Sequence, residues 1–222
     1  MDDLIAINVL LEPDAATKVL AAELNAELRR NVPAASAFAF DETHLPHVTL
    51  LQRYVQRADL ERVLAAVPEA AGHVIAGAEG KDLRLRAGGL SSGELGTPLG
   101  TVLASVEFEP SPAVRALHES VLRALAPIAV AGGSAAAFFT LPGEPSANAA
   151  TVDYVEGFVP AHAGEDYTPH LSAGVAREAD VRRLARDHPL AGVRVTPVAV
   201  AVAHLGDLGT ARQVLTRWPL LT

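Results

Sequence analysis

The sequence predicts a mixed α+β fold built from two related lobes, and three observations carry that expectation. Half of the 222 residues are hydrophobic and 20% are charged, enough apolar surface to bury a core in one large domain or two small lobes. Helical and strand patterns follow one another without a regular alternation. Two short strings, His47-Val48-Thr49-Leu50 and His170-Leu171-Ser172-Ala173, repeat one design, and each is followed by a helical pattern.

Residues 4–11 form an apolar run that stops at Glu12-Pro13, the pattern of a strand. Residues 14–29 place Ala16, Leu20, Leu24 and Leu28 at helical spacing, with Pro13 near the first turn. A polar connection around Asp41-Glu42-Thr43 precedes a strand over residues 47–55, and Asp59 caps a short helix through Val67. Residues 72–78 and 82–87 read as strands joined by a glycine-containing turn. Residues 101–109 are a further strand, and 112–126 a helix striped by Val114, Leu117, Val121 and Leu125. Residues 129–165 are rich in Ala, Gly and Pro, with a short helix around 149–158, and read as an inserted or mobile loop region. A strand over 168–175 is followed by a helix over 178–187 and a long apolar strand over 192–205. Gly206-Asp207-Leu208-Gly209 then turns the chain into a hairpin closed by residues 211–218.

Alternate side chains of a strand share a face, so His47 and Thr49 point one way while Val48 and Leu50 point into a core. His170 and Ser172 sort identically. If the two faces meet across a cleft, they supply a general acid, a general base and two hydroxyl donors for phosphate oxygens. That set suits phosphodiester chemistry without metal. Arg53 shares the parity of His47 and Thr49, which makes it a candidate phosphate or base contact on an unbroken strand; otherwise it is a surface arginine at a strand end. Tyr167, Phe38 and Phe40 could stack a base but suit core packing better. His204 lies in an apolar strand and reads as structural, while His73, His118, His162 and His188 carry no motif and read as surface or packing residues. His44 and His47 are three residues apart, a spacing that suggests metal ligands, yet Pro46 interrupts regular geometry between them and no carboxylate stands at a familiar spacing. The segment from Gly206 to Arg212 lacks the lysine and helix of a phosphate loop, and no G-x-S-x-G elbow occurs.

The segments Pro46-His47-Val48-Thr49-Leu50-Leu51-Gln52-Arg53 and Pro169-His170-Leu171-Ser172-Ala173-Gly174 resemble the paired H-x-[ST]-apolar motifs of the two-histidine (2H) phosphoesterase superfamily. They look most like its bacterial 2′-5′ RNA ligase-like and cyclic phosphodiesterase members. The resemblance covers nearly the whole chain and implies two pseudo-symmetric lobes, each with a small antiparallel sheet flanked by helices, around a central cleft. It also implies metal-independent action on 2′,3′-cyclic phosphates or related 2′-5′ phosphodiesters. His47 and His170 would be the catalytic pair, with Thr49 and Ser172 binding the phosphate. The interval between the two histidines is long for compact members, which bears on substrate more than on chemistry.

Composition bounds the alternatives. There is no cysteine, so disulfides, thiolate nucleophiles and cysteine zinc sites are excluded. The formal net charge of −8 argues against capture of long nucleic acid, which needs basic surface to displace counterions. No run approaches the ~20 apolar residues that span a bilayer, and the acidic N-terminus does not read as a secretory signal. The sequence therefore suggests a cytoplasmic monomer that needs no cofactor and acts on a nucleotide or RNA-end phosphodiester. A nucleotide-binding or sensing module without turnover, and a 2′-5′ RNA ligase, are the competing readings.

Overall fold

In the computed structural model, which describes residues 3–77 and 82–220, the apolar runs become two antiparallel sheets. The elements in chain order are β1 (Leu4–Pro13), α1 (Ala15–Leu28), β2 (Val48–Gln56), α2 (Leu60–Ala76), β3 (Leu85–Gly93), β4 (Val102–Glu109) and α3 (Pro112–Leu125). They continue with β5 (Ala129–Val130), α4 (Ala149–His162), β6 (His170–Ala176), α5 (Glu178–Asp187), β7 (Arg194–Val195), β8 (Pro197–Leu205) and β9 (Ala211–Pro219). The first sheet has the order β5-β2-β1-β8-β9 and the second β6-β4-β3-β7. The chain is thus α+β and two-lobed, with helices flanking both sheets. Among the described residues no helix is long and apolar enough to cross a membrane.

A strand–helix–strand–helix order occurs twice, as β1-α1-β2-α2 and, with β5 and α4 interposed after α3, as β4-α3-β6-α5, with a motif strand third in each. The units trade helices. Helix α1, from the first unit, packs on β6 of the second, with Leu20, Ala21 and Leu24 beside Val106, Phe108 and Leu171. Helix α3, from the second unit, packs on β2 and on α2. One apolar core therefore runs through both lobes, from Ile7 and Val9 to Leu171 and Leu184.

Where expectation and structure differ, packing or a backbone hydrogen bond is the reason. Residues 72–76 continue α2 instead of forming a strand, because Val63, Val67, Ala70 and Ala71 make a buried helical stripe that outweighs Gly72 and the β-branched Val74 and Ile75. Pro68 lies inside this helix. The rest of that expected strand and its turn, residues 78–81, lie outside the described residues. The following strand begins later than expected and runs further, over Leu85–Gly93. The single strand expected over residues 192–205 is broken at Thr196, so that β7 joins the second sheet and β8 the first. Residues 129–165 contribute β5 to the edge of the first sheet and α4, four residues longer than expected, which packs on β2.

Asp14 holds the break at Thr196 in place. Its carboxylate accepts the Thr17 amide at 2.8 Å, capping α1, and its other oxygen accepts the Thr196 amide at 2.9 Å where the chain changes sheets. Replacing Asp14 with alanine removes both bonds and should lower unfolding free energy in a urea titration by about 1–2 kcal/mol; an unchanged midpoint would show that neither bond contributes.

Candidate active site

Both motif strands carry a β-bulge at the same place. On β2, Thr49 pairs with Leu10 and Leu51 with Val9, so Leu50 is the extra residue. On β6, Ser172 pairs with Ser105 and Gly174 with Ala104, so Ala173 is extra. A bulge shifts the side-chain alternation by one and leaves the extra residue's carbonyl outside the ladder. Each carbonyl finds a buried helix side chain. His118 of α3 donates Nδ1–H to Leu50 O at 2.7 Å, and Asn25 of α1 donates Nδ2–H to Ala173 O at 2.9 Å.

The bulge corrects the sequence reading of Arg53. After Leu50 the cleft-facing parity passes to Gln52, and Arg53 pairs with Ile7, whose side chain belongs to the helix-covered core face. Arg53 lies outside the cleft, in a depression lined by Ala126, Ala129, Val130 and Glu156. Gln52 takes the place it was expected to hold.

The remaining motif residues come together. His47, Thr49, His170 and Ser172 line one cavity of about 380 Å³, the size of a small-ligand site. The histidines are oriented alike: His47 Nδ1 bonds Leu45 O at 2.8 Å and His170 Nδ1 bonds Thr168 O at 3.1 Å. In each case the acceptor belongs to the residue before the proline that precedes the histidine. Proline holds that residue extended, which fixes its carbonyl for the ring. With Nδ1–H so engaged, Nε2 is the nitrogen left for a ligand. Burial pushes the His47 pKa down to about 4, partly offset by the Leu45 carbonyl, and His170 pushes it further down. His47 is therefore a neutral ring at physiological pH.

Thr49 is held on both sides. Its hydroxyl oxygen accepts Asn8 Nδ2–H at 3.1 Å, which leaves its own hydrogen to donate. Its carbonyl accepts the Tyr167 hydroxyl at 2.8 Å, and Tyr167 lies flat against His118, ring centroids 4.0 Å apart. His118 also accepts the Gly164 amide on Nε2 at 3.1 Å, so this buried neutral ring joins β2 to the segment leading into β6. Its role is structural, as is that of His204, whose Nε2 bonds Ala137 O. Phe38 stacks on His44 away from the cavity, and His44 bonds Asp41. Among the described residues no three His, Cys, Asp or Glu side chains converge as a metal site would require.

Several cavity residues escaped the sequence reading. Tyr154, Phe158 and His162 stand at four-residue intervals on α4 and form an aromatic wall, with His162 stacked on Tyr154 at 4.7 Å. That stripe was legible as a helical period, but helical aromatics signal core more often than ligand contact. Glu107 is paired with His170 across β4 and β6, and Leu95, Leu103 and Leu208 give the second lobe's side an apolar lining.

No protein-family model matches the chain, and no curated protein matches it in sequence. Among solved structures, TT0787 of Thermus thermophilus aligns over 97% of this chain and 98% of its own, with a TM-score of 0.52 and 16% identity. Usb1 of Kluyveromyces marxianus aligns over 99% of both chains at 13% identity and a TM-score of 0.42. The likeness to TT0787 is one of fold.

Gly174 sits just after the second bulge at φ +142°, where an added Cβ would come within 2.6 Å of Asn25 Nδ2. Gly174→Ala should both strain the backbone and displace the side chain that satisfies Ala173 O. We expect a loss of about 1–3 kcal/mol in denaturant-induced unfolding, and wild-type stability would count against this account of the bulge.

Proposed function

We propose that the chain is a metal-independent phosphodiesterase of the two-histidine phosphoesterase superfamily that hydrolyses nucleoside or RNA-end 2′,3′-cyclic phosphates. The observation that carries this reading is the convergence of two histidines with matched Nδ1 anchoring, each with a hydroxyl two residues on, at one cavity.

The chemistry follows from proton bookkeeping. Neutral His47 accepts a proton on Nε2 from a water whose oxygen forms the new bond to phosphorus. The bond from phosphorus to one ribose oxygen breaks, and His170, partly buried and opposite Glu107, gives that oxygen a proton from its own Nε2. Thr49, whose hydroxyl hydrogen is freed by the bond from Asn8, donates to a non-bridging oxygen, and Ser172 does so from the other lobe. These donors gain strength as negative charge grows on phosphate.

The cavity lining favours a small substrate. Glu94, Glu107 and Asp166 line it, and among the described residues no lysine or arginine does. An additional phosphate would meet carboxylates without a counter-cation. Hydrolysis should therefore be on the order of tenfold more efficient for a nucleoside 2′,3′-cyclic monophosphate than for an oligonucleotide ending in the same group, and the gap should shrink as salt screens it.

Replacing His47 or His170 with alanine should lower turnover roughly 10²- to 10⁴-fold, measured with chelator present. Arg53→Ala should leave kcat and KM unchanged. Because the base must be unprotonated, the acid-side fall of kcat/KM should come as pH drops through about 4, where burial holds His47, and not near the ordinary histidine value. Full activity of either histidine variant would overturn the reading, and tight nucleotide binding without turnover would favour a sensing module.

A further inference from the structure

Gln52 is 3% exposed, yet its amide lines the cavity and its Oε1 has no hydrogen-bond partner. Its cross-strand neighbour Asn8 is fully buried; Asn8 spends its Nδ2–H on Thr49, and its Oδ1 is also without a partner. Two cross-strand partners thus each carry an unsatisfied acceptor oxygen, on the face that carries Thr49. Buried polar atoms are almost always paired, so an exception next to a cavity is a marker of a ligand group.

A cavity-lining loop packs beside the amide. Gly209, at φ +69°, also lines the cavity, and a Cβ there would come within 3.4 Å of Gln52 Nε2. The second lobe provides the comparison. By the same register, the position that matches Gln52 on β6 is Val175, paired with Leu103, and both belong to an apolar cluster with Leu95 and Leu208. The two lobes therefore match at the histidine and the hydroxyl and diverge at this position, where the first offers an amide and the second a hydrocarbon surface.

We propose that Gln52 is a substrate-binding residue that accepts a hydrogen bond from a neutral donor adjoining the phosphate, the chemistry shared by a ribose hydroxyl and an exocyclic amino group. The assignment rests on the phosphate site proposed above. Gln52 acts on recognition, not on proton transfer, and its unpaired buried oxygen is a cost to the fold.

That cost makes the test discriminating. Gln52→Met keeps the volume and removes the polar atoms. Its melting temperature should equal or exceed that of the wild type, whereas its KM for nucleoside 2′,3′-cyclic monophosphates should rise about tenfold with kcat nearly unchanged. Calorimetry on the full chain should give the same loss for nucleoside 3′-monophosphates and no change for inorganic phosphate, which has no such donor beside it. Comparing ribo- with 2′-deoxyribonucleoside 3′-monophosphates, and cytidine with uridine, separates hydroxyl from amino recognition, because only the pair differing in the true donor should converge in Gln52→Met. A lower melting temperature with unaltered nucleotide affinity would make Gln52 structural and overturn the proposal, as would an equal loss for inorganic phosphate. Calorimetry remains informative if the protein binds nucleotides without hydrolysing them, which would overturn the enzymatic reading alone. No nucleotide binding by the wild type would overturn both.

Discussion

The site depends on two bulged strands whose displaced carbonyls are each met by a helix of the other unit. Leu50 O and Ala173 O fall out of their ladders, and left buried without a donor each would cost about 1–3 kcal/mol. His118 and Asn25 supply the donors. Because α3 belongs to the unit of β6 but bonds β2, and α1 belongs to the unit of β2 but bonds β6, each bulge can form only when the two units are docked. The same contacts that complete the core therefore set the relative placement of the two histidine-bearing strands. His118 extends this arrangement through its stack on Tyr167 and its bond from Gly164, bringing Thr49 O and the approach to β6 under one group.

Duplication of backbone did not produce duplication of environment. The two histidines share a proline-fixed carbonyl on Nδ1 and both are partly buried, yet desolvation lowers the His47 pKa to about 4 and holds that ring neutral, while His170 stands across from Glu107. The corresponding position in the first unit, Glu12, is drawn away into ion pairs with Lys18 and Arg217. A hydrolysis step needs one group that takes a proton and one that gives it, so a symmetric site would have to break its symmetry by chance protonation. In the reaction proposed above, the desolvation that keeps His47 neutral breaks it structurally.

Much of this was legible in the chain. The repeated His-x-hydroxyl strings, their prolines and the helices after them gave both motif strands and the duplicated layout, because strand parity holds over the two-position step from His47 to Thr49 and from His170 to Ser172. Parity failed at Arg53, four residues beyond Thr49, because one extra residue inverts every later side chain. Nothing local announces that bulge. Leu50-Leu51 reads as continuous core, and the cause is His118, distant in sequence and inconspicuous by itself. The extension of α2 past Gly72 was hidden for a similar reason, since its buried stripe has value only once α3 is present to cover it.

The bulge that defeated the sequence reading is also what gives the cleft its chemistry. An unbroken β2 would have placed a guanidinium beside Thr49 and turned Gln52 into the helix-covered core, giving a cavity suited to multiply charged phosphates. With the extra residue at Leu50, the cation goes to the far face and an uncharged amide comes in, next to a buried Asn8 that could not have accommodated a charge without large desolvation. Local consistency is given up at Asn8 and Gln52, where two buried oxygens go unpaired, and it is kept at Leu50 and Ala173, where every displaced carbonyl is satisfied. Strain that serves the scaffold is compensated within the scaffold. Of the unpaired atoms on this face, the amide oxygen of Gln52 belongs to a residue that lines the cavity, which is why the amide, and not the bulge itself, marks the side of the cleft proposed to meet the ligand.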